Sequence, residues 1–167
     1  MVQSPLLLIF PMAMAFAAVT DLFTLTIPNR ISIALVLGFL VAAPIMGMPV
    51  AVIGEHFVTA AVVLLAGVLM FSRGWLGGGD AKLLATAALW LGHENLLSYL
   101  LLVTFIGGLL ASGILVYRSL IPPVWVAGQA WAMRLHDRKM GIPYGIALAA
   151  AALWVYPSTQ WFAGIAG

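Results

Sequence analysis

The chain has 167 residues, of which 64% are hydrophobic and only 7% charged, and its mean hydropathy is +1.14. This composition excludes a soluble globular domain and indicates a protein whose solvent is the lipid bilayer. The absence of cysteine excludes a disulfide framework and a thiolate metal site. The net charge of +2 comes from few basic residues, which flank the apolar runs, so nucleic-acid binding is not expected.

The first apolar run, residues 5–20, ends at Asp21. The residues before it lack the positively charged region of a secretory signal, so we expect the run to be retained as the first membrane span. A turn follows, in which Pro28 disfavours helix at the residue before it and Asn29 is expected to cap the next helix.

The later apolar runs have roughly the length that a bilayer requires, about 17–25 residues, although the fourth is short for a full crossing. Short breaks, such as Gly47-Met48-Pro49, separate them. The predicted spans are residues 5–20, 31–46, 50 or 56–71, 80–92, 95–117 and 143–156. We therefore predict an all-α membrane protein, a bundle of about six transmembrane helices that forms a single domain over residues 1–167.

The basic residues test this topology. With six spans, loops 21–30, 72–82 and 118–141 share one side, while loops 47–56 and 92–95 share the other side with both termini. All seven basic residues fall on the first side: Arg30, Arg73, Lys82, Arg118, Arg134, Arg138 and Lys139. The opposite loops carry acids and histidines instead: Glu55, His56, His93 and Glu94. The positive-inside rule then makes the first side cytoplasmic and places both termini in the periplasm.

One connection, residues 121–134, is long, carries Trp125 and Trp131, and leads into the basic cluster that begins at Arg134. Such a segment suits the cytoplasmic membrane interface, although a solvated basic loop that only fixes orientation is an alternative. In the span before it, Gly107 and Gly108 are expected to allow close helix packing.

Two of the five acidic residues, Asp21 and Asp80, lie where apolar runs meet polar turns on the predicted cytoplasmic side. Ionisable groups at such positions are costly and are rarely kept without a partner or a task. Two adjacent carboxylates share a proton, so one can activate a water molecule while the other protonates the carbonyl or the leaving group. The sequence therefore predicts a catalytic pair that needs neither a metal nor another cofactor.

Each aspartate also has a simpler interpretation. Asp80 could be only the N-cap of the fourth helix, and Asp21 could pair with Arg30 as a topology anchor. A helix N-terminus favours a carboxylate and a C-terminus disfavours it, so we hypothesise that Asp80 is the readier base and Asp21 the protonated partner at rest. The three histidines lie far apart without helical ligand spacing, and no metal site is predicted.

The glycines before Asp80, Gly77 to Gly79, permit backbone conformations closed to other residues and let another chain approach closely. An extended substrate strand could therefore lie against this run. Lys82, two residues beyond Asp80, is either an orientation charge or a residue with a role near the site.

Three motifs resemble those of the type IV prepilin peptidases. Asp21 is followed six residues later by Ile27-Pro28-Asn29, which resembles their first-aspartate motif. The run Gly77-Gly78-Gly79-Asp80-Ala81-Lys82 is similar to their second motif, and Gly141-Ile142-Pro143-Tyr144-Gly145 is similar to a Pro-Tyr-Gly element of the short members. A Gly-x-Gly-Asp run alone also occurs in presenilin-like proteases, but its pairing with the first motif makes the resemblance specific.

The resemblance implies an aspartic endopeptidase of the bacterial inner membrane that removes the short basic leader of prepilins at the cytoplasmic face. Asp21 and Asp80 would be its catalytic pair. The supporting residues would be Gly77, Gly79, Lys82, Pro28 and Asn29. The implied partners are the prepilin leader, the lipid bilayer and, beyond these, pilus-assembly proteins.

The sequence differs from the large, bifunctional members of that family. Those members carry a cytoplasmic insert with paired cysteines and also N-methylate the new amino terminus. Here the loop between the first two spans is short and has no cysteine, so methyltransferase activity is not expected. The closer likeness is to the short peptidases of tight-adherence (Flp) and Caulobacter-type pilus systems.

Two other functions stay open at the level of sequence. A small transporter or channel could use Asp21 and Asp80 as proton or ion sites. Such a protein is expected to place its acids nearer mid-membrane and often to show internal repeats, and no repeat is found in this chain. A non-catalytic membrane subunit of a pilus assembly, with the aspartates as anchors, is the third possibility.

Overall fold

The structure, a computed structural model, describes residues 3–163, and all regular structure within that range is helical. The elements in chain order are α1 (Gln3–Leu7), α2 (Ile9–Thr24), α3 (Asn29–Ile45), α4 (Val50–Ser72), α5 (Gly78–Ser119), α6 (Val124–Ala127), α7 (Ala130–His136), α8 (Gly145–Val155), a 3₁₀ turn (Tyr156–Ser158) and α9 (Gln160–Ala163).

Three helical segments are long and apolar enough to cross a membrane by length and composition. They are Pro5–Thr24, Val50–Ser72 and Gly78–Ser119, and two shorter apolar segments, Asn29–Ile45 and Gly145–Ser158, accompany them. These segments are those of an all-helical membrane protein. The count of six crossings and the location of the termini stay predictions.

The longest helix, α5, reverses its direction. A straight helix of 42 residues would extend about 63 Å, about twice the thickness of the hydrocarbon core. At Gly92 the backbone leaves the helical region, with φ 74° and ψ 171°. Asp80 near the start of α5 and Arg118 near its end line the same cavity, so the segments before and after Gly92 run in opposite directions. The boundary predicted at residues 91–92 therefore coincides with a reversal of the chain.

Side chains from distant helices satisfy the carbonyl groups that precede this break. Breaking a helix leaves its last carbonyls without intrahelical partners. The carbonyl of Leu89 accepts a hydrogen bond from His56 Nδ1 at 2.6 Å, and that of Trp90 accepts one from Trp161 Nε1 at 2.7 Å. The His56 ring packs against Gly92, where an added Cβ would lie 2.9 Å from the ring. Of the two starts predicted for the third span, Val50 is the one observed, so His56 is a buried residue inside α4 rather than part of the preceding loop.

An aromatic cluster holds the helices together near the same break. It consists of Phe10, Phe39, Trp90, Tyr156 and Trp161, with neighbouring ring centroids 4.7 to 6.4 Å apart. The indole N–H of Trp90 also donates to a backbone carbonyl of α3 at 2.9 Å. Aromatic residues bury large areas, so this cluster fixes the helices whose opposite ends carry the two aspartates.

Close packing was predicted at Gly107 and Gly108, and of these two glycines only Gly107 is closely packed. Gly107 lies against the phenol ring of Tyr144, which an added Cβ would meet, whereas Gly108 faces open space. A close helix–helix approach occurs instead at Gly67 of α4, where a Cβ would lie 3.0 Å from the Cβ of Ala81.

Candidate active site

Asp21 lies in the last turn of α2, one turn further inside the helix than the sequence predicts, and its side chain is buried. The helix ends at Leu25, which adopts a left-handed conformation with φ 53°. The Oδ2 atom of Asp21 accepts a hydrogen bond of 2.7 Å from the backbone N–H of Gly145. Gly145 is the first residue of α8, so the positive end of that helix faces the Asp21 carboxyl group.

Asp80 is the third residue of α5 rather than its N-cap. The N-cap is Gly77, and the backbone N–H of Gly77 faces the Asp80 carboxyl group, as in one half of a capping box. The interpretation of Asp80 as a simple N-cap was therefore wrong. The pairing of Asp21 with Arg30 was wrong as well, because the one contact at salt-bridge distance within residues 3–163 joins His93 and Glu55.

The two aspartates line one cavity of about 860 Å³ at the end of the bundle where α2, α4 and α5 meet the segment before α8. They are close enough for the charge of one to act on the other. The hypothesis of unequal acids rests on Asp21 being at a helix C-terminus. The structure adds the N-terminus of α8 at Asp21, so both carboxyl groups face the positive end of a helix. Which of the two is the base stays a prediction.

Ile27, in the turn between α2 and α3, lies between the two halves of the site. A Cβ on Gly79 would be 3.1 Å from Ile27 Cβ and 3.4 Å from its carbonyl oxygen. A Cβ on Gly145 would be 2.9 Å from Ile27 Cδ1. Gly79 thus permits the close approach of Ile27 and lets Asp80 sit beside the end of α2, while the contact of a substrate strand with the glycine run stays a prediction.

Asn29 and Lys82 connect the two sequence motifs. The Lys82 ammonium group donates a hydrogen bond of 2.9 Å to Asn29 Oδ1. The N-cap of α3 is Pro28, whose φ of −62° and extended ψ of 138° fit that position, so the prediction that Asn29 caps the helix was wrong. The exposed pair joins the start of α3 to the start of α5, next to Asp80. Lys82 therefore makes a structural contact near the site. Its contribution to the orientation of the chain in the membrane stays a prediction.

Arg118 is the site residue that sequence reasoning missed. It was assigned only an orientation role, but its side chain is buried at the end of α5 and lines the same cavity as the aspartates. Its Nε donates to the carbonyl of Leu135 at 2.7 Å, and its Nη2 donates to those of Met140 and Gly141 at 3.0 Å. Arg118 thereby fixes the segment that leads into Gly145.

Replacing Arg118 by Gln should lower the free energy of unfolding by about 2–4 kcal/mol, because one buried and two partly buried carbonyls lose a charged donor that a shorter amide cannot replace. Thermal unfolding of the detergent-solubilised protein, followed by circular dichroism, measures this change. Arg138→Gln is the matched control, since Arg138 is exposed and should change stability by no more than about 0.5 kcal/mol. Equal stability of the two variants would show that the three hydrogen bonds are not needed to hold the segment.

No group of three His, Cys, Asp or Glu side chains in the part of the chain that the structure describes converges as metal ligands. The cavity offers two carboxyl groups beside a space that water can enter, with the Asp21 group hydrogen-bonded to the N–H of Gly145 and the Asp80 group facing that of Gly77. Such a pair can exchange protons with a bound water molecule and with a carbonyl group.

A sequence model of the type IV leader peptidase family matches residues 8–112, which is more than half of the chain. The matched region contains both aspartates and the turn with Pro28 and Asn29, and it ends before Arg118 and Gly145. Comparisons with curated proteins and with solved structures found no match. The chain therefore belongs to the type IV leader peptidase family.

Proposed function

We propose that this protein is a membrane-embedded aspartic endopeptidase that removes the leader peptide of Flp-like type IV prepilins. The observation that carries the proposal is the convergence of Asp21 and Asp80 on one cavity in a chain of the leader peptidase family. The proposed cleavage needs no cofactor. Its partners are the prepilin leader and the lipid bilayer, with pilus-assembly proteins as further candidates.

The proposed reaction uses the two carboxyl groups in opposite protonation states. Asp80 as the carboxylate takes a proton from a water molecule, whose oxygen attacks the scissile carbonyl carbon, while Asp21 gives its proton to the carbonyl oxygen. Asp80 then returns its proton to the amide nitrogen, the C–N bond breaks, and Asp21 recovers its proton from the diol. The backbone N–H of Gly145 donates to the Asp21 carboxyl group, and that of Gly77 faces the Asp80 carboxyl group. These contacts support the proposed reaction, because they keep both acids in position for the proton transfers.

We also propose that the site faces the cytoplasm of a bacterium from its inner membrane. All seven Lys and Arg residues lie at the end of the bundle that carries the aspartates. They are in the connections and the short helices there, or within a few residues of a helix end. The positive-inside rule places that end in the cytoplasm. The turn between α2 and α3 is only a few residues long and has no cysteine, which supports cleavage without N-methylation.

Incubation of the purified chain with an Flp-like prepilin in lipid vesicles tests the proposal. Mass spectrometry should show a single cut at the leader boundary and a new amino terminus without a methyl group. A protein that leaves the prepilin intact but conducts protons across the vesicle membrane would instead be the transporter. One that leaves it intact and binds pilus-assembly proteins would be the non-catalytic subunit.

A further inference from the structure

An apolar groove of about 350 Å³ lies away from the aspartates, between the end of α5 and the helices that follow it. Ile114 and Tyr117 of α5 form one wall, and Trp125, Trp131 and Leu135 form the other. The hydroxyl of Tyr117 donates to the carbonyl of Ala132 at 3.2 Å, which holds α7 against α5. This hydrogen bond joins the two walls of the groove, so the groove is a fixed part of the connection that follows α5.

The rim of the groove exposes large apolar side chains. Ile121 is 94% exposed, Val124 90% and Trp125 78%. Three such residues within five positions would be unfavourable in water, but they follow directly on a helix that is apolar enough to span a membrane. Tryptophan is also the residue typical of the membrane–water interface. This exposed segment, of which Trp125 lines the groove, therefore suits contact with lipid better than contact with water.

Basic residues lie in and directly after α7, the helix that contributes Trp131 and Leu135 to the groove. Arg134 follows the groove residue Trp131 by three positions on α7, so both lie on neighbouring parts of one helix face. Arg138 and Lys139 follow in the exposed turn after α7. None of the three forms an ion pair within residues 3–163. The only acid of this segment, Asp137, accepts the backbone N–H of Lys139 through its Oδ1 atom.

We propose that the groove holds an acyl chain of an anionic phospholipid, whose headgroup phosphate contacts Arg134, Arg138 and Lys139. The apolar lining suits a hydrocarbon chain, and three basic side chains against one acid select a negative headgroup. This arrangement is that of an interfacial segment that combines tryptophan and apolar residues on one side with basic residues on the other. The bound lipid would hold α7 in place, and α7 contacts α2 through a T-shaped pair of Trp131 and Phe23 at 5.7 Å.

Native mass spectrometry of the full chain in detergent tests this site with two probes, phosphatidylglycerol and phosphatidylcholine that carry the same acyl chains. The wild-type protein should retain phosphatidylglycerol in preference to phosphatidylcholine by on the order of tenfold or more. Combined replacement of Arg134, Arg138 and Lys139 by Gln should reduce that preference to about onefold, because the phosphate then has no charged partner. Equal retention of both lipids by the wild-type protein would overturn the proposal.

A pair of glycine variants tests the acyl-chain part separately. Gly113 lines the groove and a Cβ added there meets nothing within 4 Å, so Gly113→Leu is chosen to occupy part of the groove. Gly108→Leu is the matched control on the same helix, also in open space but outside the groove. Gly113→Leu should reduce the retention of both lipids severalfold, and Gly108→Leu should not. Wild-type retention by Gly113→Leu, or cross-linking of the prepilin rather than lipid to a photoreactive residue at position 129, would show that no lipid occupies the groove.

Discussion

Asp21→Asn and Asp80→Asn should each keep the fold and lose leader cleavage by about 10²- to 10⁴-fold, the range expected for loss of a general acid or base. An amide neither takes a proton from water nor donates one as a carboxylic acid does. Its oxygen still accepts a hydrogen bond, so the contacts with the N–H groups of Gly145 and Gly77 can persist. The loss should therefore appear in the cleavage rate and not in the unfolding temperature.

The double variant adds a sharper criterion. If the two aspartates act as one unit, the protein with both replacements should cleave no more slowly than the slower single variant, because either replacement already disables the pair. Asp137→Asn is the matched control, since Asp137 lies at the same end of the bundle but is exposed and bonds only within its own turn. Cleavage of the prepilin at the wild-type rate by either single variant would exclude the catalytic pair.

The positions of the aspartates could be predicted because breaks in hydropathy are local signals. Asp21, Asp80 and the reversal at Gly92 all lie where an apolar run meets a polar or glycine-containing turn. The contacts that hold the site could not be predicted in this way. Gly145 reaches Asp21 across 124 positions of the chain, and Arg118 differs from the other basic residues only in being buried.

In a chain this apolar, hydrophobic periodicity does not predict which face of a helix is buried. In a soluble helix the apolar residues mark the buried face, but helices that face lipid are apolar on all sides. Phe10 is fully buried and Phe16, in the same helix, is 58% exposed, although the two side chains are identical. The partners of α2, α5 and α8 are therefore fixed by aromatic contacts, small residues and hydrogen bonds between distant positions, which a single sequence does not reveal.

Gly145→Ala should lower the cleavage rate by about 10²-fold, the size of effect expected when a reacting group is misplaced by about 1 Å. An added Cβ would lie 2.8 Å from Asp21 Oδ2, 3.0 Å from Asp21 Cβ and 2.9 Å from Ile27 Cδ1. The carboxylate oxygen could rotate away, but the Cβ of Asp21 is fixed to the backbone of α2. The start of α8 must then move from α2, which lengthens the 2.7 Å hydrogen bond between Gly145 and Asp21. Stability should fall by about 1–3 kcal/mol, as for overpacking of a buried site.

Gly141→Ala separates this effect from a general disturbance of the segment. Gly141 lines the same cavity four residues earlier, and an added Cβ there meets nothing within 4 Å. Its cleavage rate should stay close to that of the wild-type protein. In an Asp21→Asn background, Gly145→Ala should slow cleavage no further, because the carboxyl group that it misplaces is already absent. A further loss in that background would mean that Gly145 acts on the substrate directly, whereas wild-type cleavage by Gly145→Ala alone would mean that the N–H of Gly145 does not position Asp21 for catalysis.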